Sequence, residues 1–267
     1  MHLAPGRFVL WSWAILVLAF LVLPLFVIVP LSLSSGAFLS FPLPGLSLRW
    51  YRELWQSELW WRAFVNSVVV GTAAMVIATV LGTAAAIGLE LADFRFRRLL
   101  TGLLLSPMVV PVVIVATGVY FFYLRLGLTG SLLGLALAHA ALGAPFVVVT
   151  VSATLAGFDR NLVRAGLSLG AGPWTVFRRI VLPLVAPGVV SGALFAFATS
   201  FDELVVAMFL TGPGQRTLPR QMFDGIRENI SPTILAAATL LVLLAVALLF
   251  AAEGLRRRSL QLRGIRD

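Results

Sequence analysis

Apolar residues in this chain run without interruption for the length of a membrane crossing and are separated by short polar stretches. The runs are Phe8–Leu33, Phe64–Leu89, Leu99–Leu124, Ser131–Ala156, one from Ile180 to Ser200 followed by a short Leu204–Leu210, and Pro232–Ala252. A helix needs about 20 apolar residues to cross a hydrocarbon core of about 30 Å. The pattern therefore predicts six membrane-spanning helices. It is continuous rather than alternating, which excludes a β-barrel. The first run is far longer than the apolar core of a cleavable signal peptide and reads as a retained span. Pro107 and Pro111 in the third run, and Pro183 and Pro187 in the fifth, predict kinked or broken helices. The second run carries Gly71, Ala73, Ala74, Ala78, Gly82, Ala84, Ala85, Ala86 and Gly88, small residues that permit close helix packing, either internally or with another membrane chain.

Composition agrees. Hydrophobic types make up 60% of the 267 residues and charged types 12%, and the mean hydropathy is +1.01. A water-soluble core has no room for so much apolar side chain. An ordinary soluble enzyme, a disordered chain and a disulfide scaffold are excluded, and with no Cys there is no thiol metal site.

The net charge of +9 comes from 20 basic residues, all Arg. They lie between the apolar runs, as membrane topology rather than nucleic-acid binding requires. Six spans put both ends on one side. Segments 1–7, 90–98, 157–179 and 253–267 share that side and hold Arg7, Arg95, Arg97, Arg98, Arg160, Arg164, Arg178, Arg179, Arg256, Arg257, Arg258, Arg263 and Arg266, thirteen of the twenty. The positive-inside rule then predicts both termini in the cytoplasm. Segments 34–63 and 211–231 fall outside. The first carries Trp50, Tyr51, Trp55, Trp60 and Trp61, which read as interfacial anchors or as part of a partner surface. Glu90 and Asp93 sit among Arg95, Arg97 and Arg98, as local ion pairing requires.

Catalytic signatures are missing. There is no Gly-x-x-x-x-Gly-Lys-Ser/Thr loop for nucleotide phosphates, no His-Glu-x-x-His, no paired-acid metal motif and no Thr-Val-Gly-Tyr-Gly filter. No metal site, no cofactor and no covalent chemistry are expected, which leaves a membrane-embedded enzyme without a catalytic cluster. A secondary transporter is a further class, but the chain shows no convincing internal repeat.

The segment Gly157–Pro183 reads GFDRNLVRAGLSLGAGPWTVFRRIVLP. Asp159 can cap a helix start. Phe158, Leu162, Ala165, Gly166 and Leu169 fall on one helical face, and the small Ala165 and Gly166 would admit another surface closely. Gly170 ends that helix. Ala171, Gly172 and Pro173 turn the chain into a second one, with Trp174 and Phe177 on its apolar side. Two short helices here form either a knob for a cytoplasmic partner or an amphipathic linker on the lipid surface.

This loop resembles the "EAA" loop of ABC-transporter permeases, Glu-Ala-Ala-x3-Gly-x9-Ile-x-Leu-Pro. Gly170, nine residues, then Ile180-Val181-Leu182-Pro183 keep the spacing, and Ala165 matches the first Ala. Arg164 stands where the family has Glu, and Gly166 where it has the second Ala. Asn66-Ser67, Phe146–Val151, Gly157-Phe158-Asp159, Ser200–Val206, Thr211–Gly214, Leu218-Pro219 and Ser231-Pro232 extend the likeness to the spermidine/putrescine branch. The resemblance implies an all-α integral membrane protein with the type I ABC importer permease fold, six transmembrane helices and a cytoplasmic coupling helix. It implies a division into 1–59 (first span and external loop), 60–252 (type 1 transmembrane domain) and 253–267 (basic tail). It also implies a bacterial inner membrane location with surrounding lipid, a second permease subunit, two ATP-binding subunits and a soluble substrate-binding protein. Docking would fall to Phe158, Asp159, Leu162, Arg164, Ala165, Gly166, Leu169, Gly170, Ala171 and Trp174.

Asp202 and Glu203 interrupt the apolar stretch Ile180–Leu210. A mid-membrane charge costs about 2.5–3.5 kcal/mol, so such residues face a wet cavity or a partner. The alternative puts them at the external interface. In either place they could line the path of an organic cation such as a polyamine. His139, in the fourth run, is either a packing group or a path residue.

Overall fold

The computed structural model describes residues 5–92, 95–228 and 230–262; Asp93, Arg263, Arg266 and the side chains of Arg7, Arg256, Arg257 and Arg258 lie outside the described residues. The described chain is helical. In order the helices are α1 (Pro5–Ser32), α2 (Arg49–Gln56), α3 (Glu58–Leu91), α4 (Arg97–Leu105), α5 (Val112–Leu126), α6 (Leu132–Leu155), α7 (Asn161–Ser168), α8 (Pro173–Val176), α9 (Leu182–Phe201), α10 (Val205–Leu210), α11 (Leu218–Glu228) and α12 (Pro232–Leu262). Five are long and apolar enough to span a bilayer. A sixth span results if α4 and α5, bent by 100° at their junction, count as one. The bend falls where the prolines predict it. Pro107 opens a 3-10 turn, Ser106–Met108, and Pro111 caps α5 in an extended conformation. At Pro183 and Pro187 the helix is not broken. Helix continues through both, because a π-helical turn, Phe177–Val181, precedes Pro183 and shifts the backbone register around its missing N–H.

The chain divides into two units, Met1–Trp61 with Met222–Leu243 and Arg62–Gln221 with Leu244–Asp267. In the first, α1 is apolar on every side. Its span, Val9–Ser32, has mean hydropathy 3.0, and no residue of it before Ser32 is buried within the chain, as for a helix surrounded by lipid. The aromatic segment folds back on the end of α1. Trp50 donates from its indole to the Ser34 carbonyl (2.8 Å), and the Tyr51 and Ser32 hydroxyls pair at 2.6 Å. Trp50, Leu54 and Trp60 are buried, while Trp55 and Trp61 stay half exposed, 5.5 Å apart.

The second unit is organised by the pairing of α6 and α9. Gly188, Gly192 and Ala196 recur every four residues on α9 and meet α6. A Cβ on Gly192 would lie 2.5 Å from Thr150 Oγ1 and 2.8 Å from Val147 Cα, and one on Gly143 would lie 3.0 Å from Ala196 Cβ. Only small residues let two backbones approach this closely, which in lipid is the main source of helix association. On α3, Gly82 serves the same purpose against Val147. One core cluster gathers Ala74, Ala78, Ala86, Val147, Val151, Val176 and Val185, and a second gathers Val70, Ala116, Leu135, Ala138, Val206 and Leu210.

Candidate docking loop and transport-path cluster

The loop after α6 is built on local hydrogen bonds. Asp159 accepts the Asn161 N–H at Oδ1 (2.9 Å) and so supports the start of α7. The end of α7 is a Schellman closure: Ala171 N–H donates to the Gly166 carbonyl (3.1 Å) and Gly170 N–H to Leu167 (3.0 Å). This puts Gly170 at φ +83°, a conformation open to glycine. Gly172 is extended and Pro173 begins α8. Arg160 donates to the Glu90 carbonyl, tethering the loop to the end of α3, and Glu90 also pairs with Arg97.

The single face expected from sequence separates into two. Gly166 is buried against the chain itself, since a Cβ there would lie 2.9 Å from Ile180 Cδ1 and 3.1 Å from Val176 Cγ2. That is a correction: the close approach at Gly166 is made from within, and it accounts for Gly where the EAA pattern has Ala. Phe158, Val163, Ala171, Phe177 and Ile180 join the same inward side. Leu162, Ala165 and Leu169 face outward, with Arg164 beside them exposed. Leu169 is 87% exposed, and Trp174, stacked on Phe177 at 5.3 Å, is 70% exposed. An apolar ridge thus stands on a packed base.

The second cluster lies at the far end of α9. Asp202 and Glu203 are adjacent but occupy different environments. Asp202 is exposed, and its carboxylate has no hydrogen-bond partner among the described residues. Glu203 is turned inward, its side chain only 8% exposed. Its two oxygens accept the N–H groups of Val206 (2.9 Å) and Ala207 (3.1 Å), unsatisfied donors of the first turn of α10. Its Oε2 lies 3.4 Å from Nε2 of His139, a fully buried residue of α6. His139 Nδ1 shares a 2.8 Å hydrogen bond with Ser200 Oγ on α9.

Sequence reasoning gave no structural role to four participants, Arg220, Asn66, Ser67 and Ser200. Arg220 donates to the carbonyls of Ala207 and Thr211 at the other end of α10. A carboxylate at the helix N-terminus and a guanidinium at its C-terminus both complement its dipole. Asn66 donates to the carbonyls of Gly214 (3.2 Å) and Arg216 (3.0 Å), and Ser67 accepts from Leu218 N–H (2.7 Å), so the pair on α3 holds the turn 212–217. Ser200 was visible as the end of a span and the start of the Ser200–Val206 likeness, not as a partner of His139. Arg220 left no signal, because the carbonyls it caps lie 9 and 13 residues away.

Residues 78–260 match the family described as "binding-protein-dependent transport system inner membrane component". The chain belongs to this family. It is therefore an inner-membrane permease component rather than an enzyme. The match takes in both the docking loop and the path cluster. Among its relatives, the spermidine/putrescine transport system permease protein PotC of Haemophilus influenzae is 30% identical over 248 residues, 93% of this chain and 96% of the relative. The putrescine transport system permease protein PotI of Escherichia coli is 34% identical over 241 residues, 87% of this chain and 85% of the relative. The fold is that of the importer permeases. A crystal structure of a bacterial alginate ABC transporter, in complex with an alginate pentasaccharide-bound periplasmic protein, superposes with a TM-score of 0.71 over 95% of this chain and 94% of that one, at 17% identity.

Proposed function

We propose that this permease moves a small organic cation of the polyamine class inward across the membrane. A soluble binding protein delivers the cation on the outer side, and a second permease chain completes the path. Two separate ATP-hydrolysing subunits dock on the loop 158–174, where Phe158, Asp159, Gly166, Gly170 and Ala171 shape the base and Leu162, Arg164, Ala165, Leu169 and Trp174 make contact. Six spans leave both termini in the cytoplasm, and 60–252 is the transporting domain between an N-terminal span and a basic tail. The observation that carries this reading is the exposed ridge Leu162–Leu169–Trp174 on a loop that continues into α9. A ridge so apolar is poorly placed in water and well placed in a cleft of another protein. Motion imposed there passes through α8 and the π turn into α9, and through the close Gly188–Gly192 contact into α6. Two polyamine permeases at 30% and 34% identity support the cation, and the unpaired Asp202 supplies a carboxylate for an ammonium group.

The test is uptake of radiolabelled putrescine and spermidine by the assembly reconstituted with its ATP-binding and binding-protein subunits. ATP-dependent uptake is expected, and Asp202→Asn raises KM severalfold. Transport that proceeds without any ATP-binding subunit, or uptake of an anionic or neutral solute and no polyamine, sinks the proposal.

A further inference from the structure

The path cluster contains two adjacent carboxylates, and their surroundings give them different work. Glu203 already spends both oxygens on the first turn of α10. Its remaining neighbour is His139, which has no hydrogen-bond partner at Nε2 although that nitrogen is buried and faces the carboxylate at 3.4 Å. A buried imidazole nitrogen facing only an acceptor carries the ring proton. Nδ1 then accepts from the Ser200 hydroxyl. The chain of contacts runs from Ser200 on α9, through His139 on α6 and Glu203, to the N–H groups of α10.

We infer that His139 is a positioning residue: through Glu203 it holds α10 against the outer ends of α6 and α9, and the cluster works as a conformational clasp rather than as a cation ligand. The inference rests on the permease reading of the chain but not on the choice of substrate. A six-residue helix has too few internal hydrogen bonds to persist alone. It depends on charged groups at its ends, Glu203 at one and Arg220 at the other. Arg220 is anchored by the chain just beyond α10, whereas Glu203 is oriented by a residue 64 positions earlier in sequence, on a different helix. Relative movement of α6 and α9 is therefore felt by α10 through His139. Asp202, exposed beside this cluster, remains the group available to a passing cation.

Two isosteric replacements of His139 separate the links. Gln places its amide where Nε2 was and keeps a donor toward Glu203. Asn places its amide near Nδ1 and keeps only the Ser200 contact. In assemblies normalised for inserted protein, His139→Asn and Glu203→Gln should each lower maximal putrescine uptake about tenfold, the size expected for loss of one charge-assisted contact, with KM changed less than about twofold. His139→Gln should stay near the unmodified rate. The His139→Asn/Glu203→Gln double variant should be no worse than either single one. Hydrogen exchange gives a readout that needs no substrate: the Val206 and Ala207 amides should exchange faster in His139→Asn than in His139→Gln. A rise in KM with maximal rate intact would make Glu203 a substrate ligand and overturn the inference. So would additive effects in the double variant, a His139→Gln as damaged as His139→Asn in rate, exchange or assembly, or unchanged exchange in His139→Asn. Failure of the unmodified assembly to take up any polyamine would count against the proposed substrate instead, and the exchange comparison would still decide the clasp.

Discussion

At Gly170 the backbone sits at φ +83°, and a Cβ there would meet nothing within 4 Å. The demand at this residue is conformational, not steric. An L-residue pays about 1–2 kcal/mol in the left-handed region, while Asn is tolerated better than others. Gly170→Val is therefore expected to open the Schellman closure, displace Leu169 and Trp174, and lower both co-purification of the ATP-binding subunits and transport. Gly170→Asn should retain most of both. Equal loss in the two variants, measured by pull-down and uptake, would assign the effect to side-chain bulk at the interface instead. The requirement for glycine was legible from its place between two short helices. The requirement at Gly166 was not, because Val176 and Ile180, which crowd it, lie 10 and 14 residues later and are brought there only by the turn at Gly172-Pro173.

Elements were legible to the extent that their cause is local. Long apolar runs gave the spans, and Pro107 and Pro111 gave the broken one, because a missing N–H and a ring clash act on the residues beside them. The continuous helix past Pro183 was hidden, since a π turn depends on how the preceding carbonyls find donors. Small residues marked the second run as a packing face, yet the closest approach among the α6, α9 and α3 contacts involves α9. There Gly188, Gly192 and Ala196 form a four-residue repeat within a largely apolar run. A side chain at Gly192 meets the backbone of Val147, which cannot turn away as a flexible tip would. Gly192→Val should therefore force α6 and α9 apart, with destabilisation of about 1–3 kcal/mol or more and loss of the inserted, detergent-stable protein. Gly88→Ala, where an added Cβ meets nothing, should be neutral or slightly stabilising through helix propensity. Thermal inactivation of the two variants in detergent checks the pair, and similar melting temperatures would mean that α6 and α9 are not closely packed in the membrane.

For the whole molecule, the arrangement of Arg makes a prediction about sidedness that the docking and clasp readings both need. Thirteen of the twenty Arg fall on one side of a six-span topology, and moving such clusters across a bilayer is opposed by the insertion machinery and by the membrane potential. That topology puts the ridge carrying Leu169 and Trp174 on the same side as these Arg, and the turn 212–217 held by Asn66 and Ser67 on the other. Because α6 and α9 each cross the bilayer between those two faces, an inverted chain would bring the ridge to the binding protein and the exposed Asp202 to the ATP-binding subunits, and no import cycle could run. The chain contains no Cys, so single cysteines can be placed on a background that needs no prior replacement. Leu169→Cys, at a position 87% exposed, should react with a membrane-impermeant maleimide only after the membrane is opened or inverted. Gly214→Cys, on a turn where an added Cβ meets no neighbour, should react in intact cells. Labelling of both from the same side would require an even number of spans between them. The bent pair α4–α5 precedes both positions, so the comparison tests the crossing by α9 alone. A third cysteine at Phe41, 90% exposed before α3, extends it across α3 to α6. Phe41→Cys and Gly214→Cys should label together from outside. That outcome requires α4 and α5 jointly to cross the bilayer once, because α3, α6 and α9 supply only three crossings between the two positions and an even number is needed.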